Sequence, residues 1–134
     1  MRRALVVPSL PVCLAAFAIL KVALAVAGLA RTWDWMRARA QRAAEREDVD
    51  RAAVREVEYR VALASALYPG HAACLERSLL LFWYLRRAGV PVAFRMGVQM
   101  YPFGAHAWVE HEGVTINDVP EHVRLFRPIE GVAT

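Results

Sequence analysis

Cysteine is scarce in this 134-residue chain, which carries only Cys13 and Cys74. Cys13 lies inside an apolar N-terminal run, so a disulfide framework is not expected and a reducing compartment is the simpler setting. CxxC and HExxH spacings are missing, so Glu110, His111 and His122 do not read as metal ligands beside Cys74. No metal or other cofactor is therefore expected. Internal repeats and low-complexity linkers are absent too. No aromatic-and-basic nucleic-acid motif accompanies the net charge of +4 and the pI of about 9.6. That argues against nucleic acid as a partner. The basic residues are mostly Arg, a balance that steers acidic partners or a membrane surface.

What is present begins with size. A chain of 134 residues suits one domain and buries roughly two-thirds of its surface without disulfides. Hydrophobic residues make up 57%, and the excess sits in the first thirty positions. Met1-Arg2-Arg3 precedes an apolar run from Ala4 to Ala30 that is broken only by Pro8, Ser9, Pro11 and Lys21. Three readings fit it: a signal peptide cleaved near Gly28-Leu29-Ala30, a single membrane span, or a core or partner-docking helix over about 12–30. Lys21 at mid-span would cost about 2.5–3.5 kcal/mol, which favours the third reading. The chain is then cytoplasmic, with membrane contact through residues 4–30 left open.

Thr32 is placed to cap a second helix that begins at Trp33 and becomes strongly charged towards Glu47. The mixed charges from Arg37 to Arg51 read as a solvated face, and Trp33 and Trp35 as packing residues. Asp50 caps a third helix whose apolar stripe is Val54, Val57, Val61, Ala64 and Leu67, ended by Pro69-Gly70. A fourth helix runs from about Ala73 to Ala88, with Arg86 and Arg87 in its last turn and Gly89 beyond it.

From Val92 the period changes from helical to two. Val92, Phe94, Met96, Val98 and Met100 alternate with Ala93, Arg95, Gly97 and Gln99, the signature of a half-buried strand. Pro102 and Gly104 interrupt it, Ala105–Glu110 form a second strand and Val114–Asp118 a third. Helices followed by an antiparallel sheet make an α+β fold. Residues 1–68 read as a helical region, with the apolar helix at about 12–30 and charged helices at about 33–67. They pack on or dock to a core at 69–134, one structural domain in all.

Cys74 opens a helix, where the first backbone N–H groups and the positive helix end stabilise a thiolate. The same N–H groups can hold an oxyanion. The bland alternative is an inert buried thiol. His106 and Asp118 weigh against that alternative. A two-residue hairpin at Glu112-Gly113 would set His106 opposite Val119. A three-residue loop, His111-Glu112-Gly113 with Gly113 left-handed, sets His106 opposite Asp118 and Trp108 opposite Ile116. The second register yields an oriented imidazole, and Cys74 is the thiol it would activate. His71, Arg77, Arg95 and Trp108 are candidates for substrate contact, and Ser78 reads as packed.

Five blocks together resemble a known family. They are Ala73-Cys74-Leu75-Glu76-Arg77-Ser78-Leu79, Leu85-Arg86-Arg87-Ala88-Gly89-Val90-Pro91, Phe94-Arg95-Met96-Gly97-Val98, Ala105-His106-Ala107-Trp108-Val109-Glu110 and Asn117-Asp118. Over roughly residues 69–128 the chain is similar to the lasso-peptide leader peptidases. These are transglutaminase-like, papain-like cysteine proteases with a nucleophile helix against an antiparallel sheet. The resemblance implies Cys74 as nucleophile, His106 as general base and Asp118 as its orienting acid. It implies removal of the leader from a ribosomally made lasso-peptide precursor. The expected partners are that precursor, a separate leader-recognition protein and, as a third member, the lasso cyclase. Residues 1–68 read as helices with no winged-helix unit, which suits a stand-alone peptidase half. An acyl transferase or amidase on the same triad, and a non-catalytic binding module, are the competing functions.

Overall fold

The computed structural model describes residues 5–46, 48–69 and 74–129. The apolar run folds as α1 (Leu10–Ala40), started by Ser9, whose Oγ accepts the Val12 N–H at 3.4 Å. Helix α1 is broken at Gly28, whose φ of 81° and ψ of 169° are not helical. A positive φ suits glycine because it has no Cβ to clash. The break turns the chain back. Lys21, before it, meets Glu76 near the start of α3 (Cys74–Arg87). After it, the Trp33 ring packs at a tilt against Phe82 and the Ala43 carbonyl accepts from Arg86 near the end of that helix. Val6, Val7 and Val12 share a groove with Trp83 and Arg87, so the first half of α1 runs antiparallel to α3 and the second half returns.

Two expectations fail here. Thr32 does not cap a second helix: the second half is already helical before it, and its hydroxyl is buried with no partner among the described residues. The charged helix stops at Ala40 rather than continuing towards Glu47, which lies outside the described residues. Trp33 is buried between Phe82 and Phe94, whereas Trp35 is exposed but stacks on Trp83 at 5.4 Å.

Helix α2 (Arg51–Leu67) starts where Asp50 accepts the Ala52 N–H at 2.9 Å. Val54, Val57, Val61 and Ala64 are buried as their spacing requires, but Leu67 in the last turn is exposed. Helix α3 buries Leu79, Leu81, Phe82 and Leu85. It ends before Gly89, whose φ is 89° and where a Cβ would stand 2.6 Å from the Ala44 carbonyl oxygen.

The sheet contains β1 (Val92–Met100), β2 (Phe103–His111), β3 (Val114–Thr115) and β4 (Arg127–Pro128) in the order β3-β2-β1-β4. All pairings are antiparallel. Strand β2 begins earlier than its sequence suggests, because Phe103 and Gly104 pair with Met100 and Gln99. Strand β3 is shorter than expected, and a short helix α4 (Pro120–Val123) and β4 follow it without having been foreseen. Val92, Phe94, Ala107 and Val109 point into one core with α3, with Cys13, Phe17 and Leu20 of α1, and with the α2 stripe. Gly97, His106 and Trp108 alternate with those residues and belong to the opposite face.

Helix α1 also keeps an outward stripe of Val12, Ile19, Val22 and Val26, all exposed. By length and composition it could cross a membrane, although 17% of its most apolar window is buried inside the protein. Lys21 does not interrupt the stripe, because its ammonium is turned inward onto Glu76 at 3.3 Å.

Candidate functional site

The three-residue loop is overturned. Glu110 pairs with Thr115 and His111 with Val114, which leaves a two-residue loop, Glu112-Gly113, with φ of 53° and 79°. Positive φ at both positions gives the twist that a tight hairpin prefers. In an unbroken ladder of this register His106 would oppose Val119. The ladder does not continue. Ile116 N–H still donates to the Val109 carbonyl at 3.0 Å, but the Val109 N–H is taken by the Asn117 side-chain oxygen at 2.9 Å. A side chain thus replaces the main chain as partner, the chain leaves the sheet, and Asp118 comes onto His106.

His106 Nε2 and Asp118 Oδ2 form a hydrogen bond, both groups being largely buried. Asp118 Oδ2 also accepts from His122 Nδ1 at 2.7 Å, and its Oδ1 accepts the Val119 N–H at 2.7 Å. Burial alone would raise the Asp118 pKa. The hydrogen bonds from His122, Val119 and His106, and the nearby His122 charge, outweigh it and hold the carboxyl below its usual value. An ionised carboxylate only accepts, so both facing ring nitrogens must carry protons. Neutral His106 is then the Nε2–H tautomer, with its basic lone pair on Nδ1. Phe126 flanks both rings, at 5.1 Å from His106 and 5.3 Å from His122.

Cys74 begins α3 and is half-buried and free, whereas Cys13 is fully buried with a raised pKa, mainly through burial. No hydrogen bond joins Cys74 to His106 among the described residues. What ties the helix to the histidine strand lies one turn later: the Ser78 hydroxyl, fully buried, donates to the Ala107 carbonyl at 3.0 Å. Asn117 Nδ2 donates to the same hydroxyl at 2.9 Å. One asparagine therefore joins α3, β2 and the segment that carries Asp118.

The expected substrate contacts fare differently. His71 lies outside the described residues. Trp108 is 2% exposed and stacks beside His106 at 5.9 Å, so it supports the ring from within the protein. Arg95 pairs with Glu110 at 3.3 Å across β1 and β2. Arg77 Nε is buried with no hydrogen-bond partner among the described residues. Burial raises the pKa of Glu58, and the charges of Arg55 and Arg77 offset only part of that rise. Sequence reasoning missed His122 and Phe126 as neighbours of His106. The only signal was Pro120, a residue suited to the first turn of a helix that would return His122 to Asp118 four positions on.

His122 does not join Glu110, His111 and Cys74. It groups instead with His106 and Asp118, one ligand atom from each lying within 4.8 Å of the others. No curated protein and no solved structure matches the chain. A family model described as the transglutaminase-like superfamily matches residues 13–131. That span takes in most of α1, all of α2, the helix opened by Cys74 and the strand and segment that carry His106 and Asp118, and the chain belongs to the transglutaminase-like superfamily.

Proposed function

We propose that this protein is a cysteine endopeptidase that removes the leader from a lasso-peptide precursor. Cys74 is the nucleophile, His106 the general base and Asp118 its orienting acid. One observation carries the reading: Asp118 holds Nε2 of His106, which leaves Nδ1 as the nitrogen able to take a thiol proton. Superfamily membership supports the cysteine-hydrolase class. The lasso assignment rests on the sequence blocks around Cys74, His106 and Asp118.

In this mechanism His106 Nδ1 accepts the Cys74 proton, and the thiolate attacks the carbonyl at the leader–core junction. N–H groups of the first turn of α3 stabilise the oxyanion. Imidazolium His106 returns its proton to the departing core amine, and water then hydrolyses the thioester. Asp118 stabilises the charged ring throughout. The protein acts in the cytoplasm with a separate leader-recognition protein, and the cyclase closes the ring on the freed amine.

Mass spectrometry of a candidate precursor tests this, with wild type and Cys74→Ala, each with and without the recognition protein. A free leader acid from wild type alone is the expected product. A leader–amine adduct would instead identify an acyl transferase. Processing that survives Cys74→Ala would overturn the catalytic reading and leave a binding module.

A further inference from the structure

A triad needs one imidazole on its carboxylate, and Asp118 has two. His106 Nε2 and His122 Nδ1 converge on the same Oδ2, so the second ring is surplus to the proposed chemistry. Two imidazole nitrogens and a carboxylate oxygen form a donor set that suits Zn²⁺ and its late first-row neighbours, whereas Mg²⁺ and Ca²⁺ prefer oxygen. We propose that His106, Asp118 and His122 form a Zn²⁺ site, and that its occupancy switches the histidine off as a base.

The geometry favours capture. Ligand atoms on a tetrahedral ion at about 2.1 Å stand roughly 3.4 Å apart. Here one ligand atom from each residue already lies within 4.8 Å of the others, so small side-chain rotations suffice. Outer contacts preset the ligands. The Val119 N–H occupies Asp118 Oδ1 at 2.7 Å, which leaves Oδ2 for the ion, and Phe126 buttresses both rings. His106 is 8% exposed, but the His122 side chain is 45% exposed and provides the route of entry. Water completes the coordination.

The proton balance gives the consequence. Zn²⁺ takes the lone pair of His106 Nε2 and of His122 Nδ1. The proton each neutral ring carried there moves through solvent to its other nitrogen, and a ring that had been imidazolium releases one proton to water. His106 then bears N–H at Nδ1, the position that must accept the thiol proton. Binding stands independently of the peptidase reading, while the switch rests on it.

Calorimetric titration of Zn²⁺ into chelator-stripped full-length protein at pH 7.5 tests the site. One equivalent is expected to bind wild type. His122→Ala is expected to weaken binding at least about tenfold, and Cys74→Ala to leave it unchanged. Circular dichroism confirms that both variants are folded. His122→Gln, which keeps a polar side chain but supplies no imidazole, is expected to bind as weakly as His122→Ala. Absence of binding to wild type, or equal binding by the folded His122 variants, overturns the site. Loss of binding in Cys74→Ala overturns it too, by locating the ion on the thiol. With the precursor as substrate, Zn²⁺ should inhibit wild type reversibly and the His122→Gln protein only at concentrations at least about tenfold higher. Equal inhibition of both overturns the switch, and binding without any peptidase activity overturns the proposed function while leaving the site intact.

Discussion

Asn117 donates from its side chain to the Ser78 hydroxyl at 2.9 Å, and so bolts the segment carrying Asp118 to the helix that Cys74 opens. The same side chain accepts the Val109 N–H, and Ser78 donates onward to Ala107. Three elements that carry the proposed triad therefore share one small polar junction. Asn117→Ala leaves the Val109 N–H without its partner and removes a donor from Ser78. Unfolding in urea should show a loss of about 1–3 kcal/mol. Peptidase activity should fall further than the unfolded fraction explains. A variant with wild-type stability would show that the junction is ornamental.

Asp118→Asn tests the carboxylate without removing its bulk. An amide cannot hold His106 in the Nε2–H tautomer with the same strength, nor stabilise imidazolium. We expect kcat on the precursor to fall by roughly 10²–10⁴-fold while precursor affinity stays near wild type. An unchanged kcat would remove Asp118 from the mechanism.

Gly97 lies opposite His106 across the β1–β2 ladder. A Cβ there would stand 2.9 Å from Phe126 Cβ and from the Trp108 ring, and 3.0 Å from the Arg127 carbonyl oxygen. Two of those three atoms belong to main chain or to the base of a side chain, and cannot swing aside. Gly97→Ala should cost about 1–3 kcal/mol and disturb the wall of rings beside His106. Denaturant titration together with the aromatic NMR shifts of Phe126 reports both effects. Wild-type values in both would show that this approach is looser than described.

Alkaline pH should expose the interior beneath α1. Burial, with a smaller contribution from Cys13, pushes the Tyr84 hydroxyl up to about 12 from a usual value of 10. The folded chain keeps that proton after the unfolded chain has lost it, so the unfolded state gains as pH rises. Stability should therefore decline between about pH 10 and 12. Cys13, whose pKa is also raised, adds to the decline. In Tyr84→Phe the fall in Tm between pH 9 and pH 11 should be smaller than in wild type. An identical fall in both would rule Tyr84 out as a source.

The order of helices and strands, the cap at Asp50, the Cys74 helix and the alternation through β1 are legible in the sequence because each depends on local periodicity or a local hydrogen bond. The His106–Asp118 pair is legible too, but through the wrong turn. Pattern alone assumes that a ladder continues, and nothing in it reveals that Asn117 substitutes a side chain for a carbonyl partner after Ile116. Gly28 was likewise ambiguous: beside Leu29 and Ala30 it resembles a processing site, yet it is where α1 doubles back. His122 escaped because its meaning depends on a four-residue helix that offers no periodicity to read.

The doubled α1 gives the N-terminal segment two incompatible futures. Cys13, Phe17 and Leu20 roof the interior from one side while Val12, Ile19, Val22 and Val26 look outward from the other. Threading this segment through a bilayer would take Cys13, Phe17 and Leu20 out of the core they share with α3 and tear Lys21 from Glu76. Resting its outer stripe on a lipid or protein surface would disturb neither. Attachment that leaves the fold whole is thus sideways, along the helix, and never end-on.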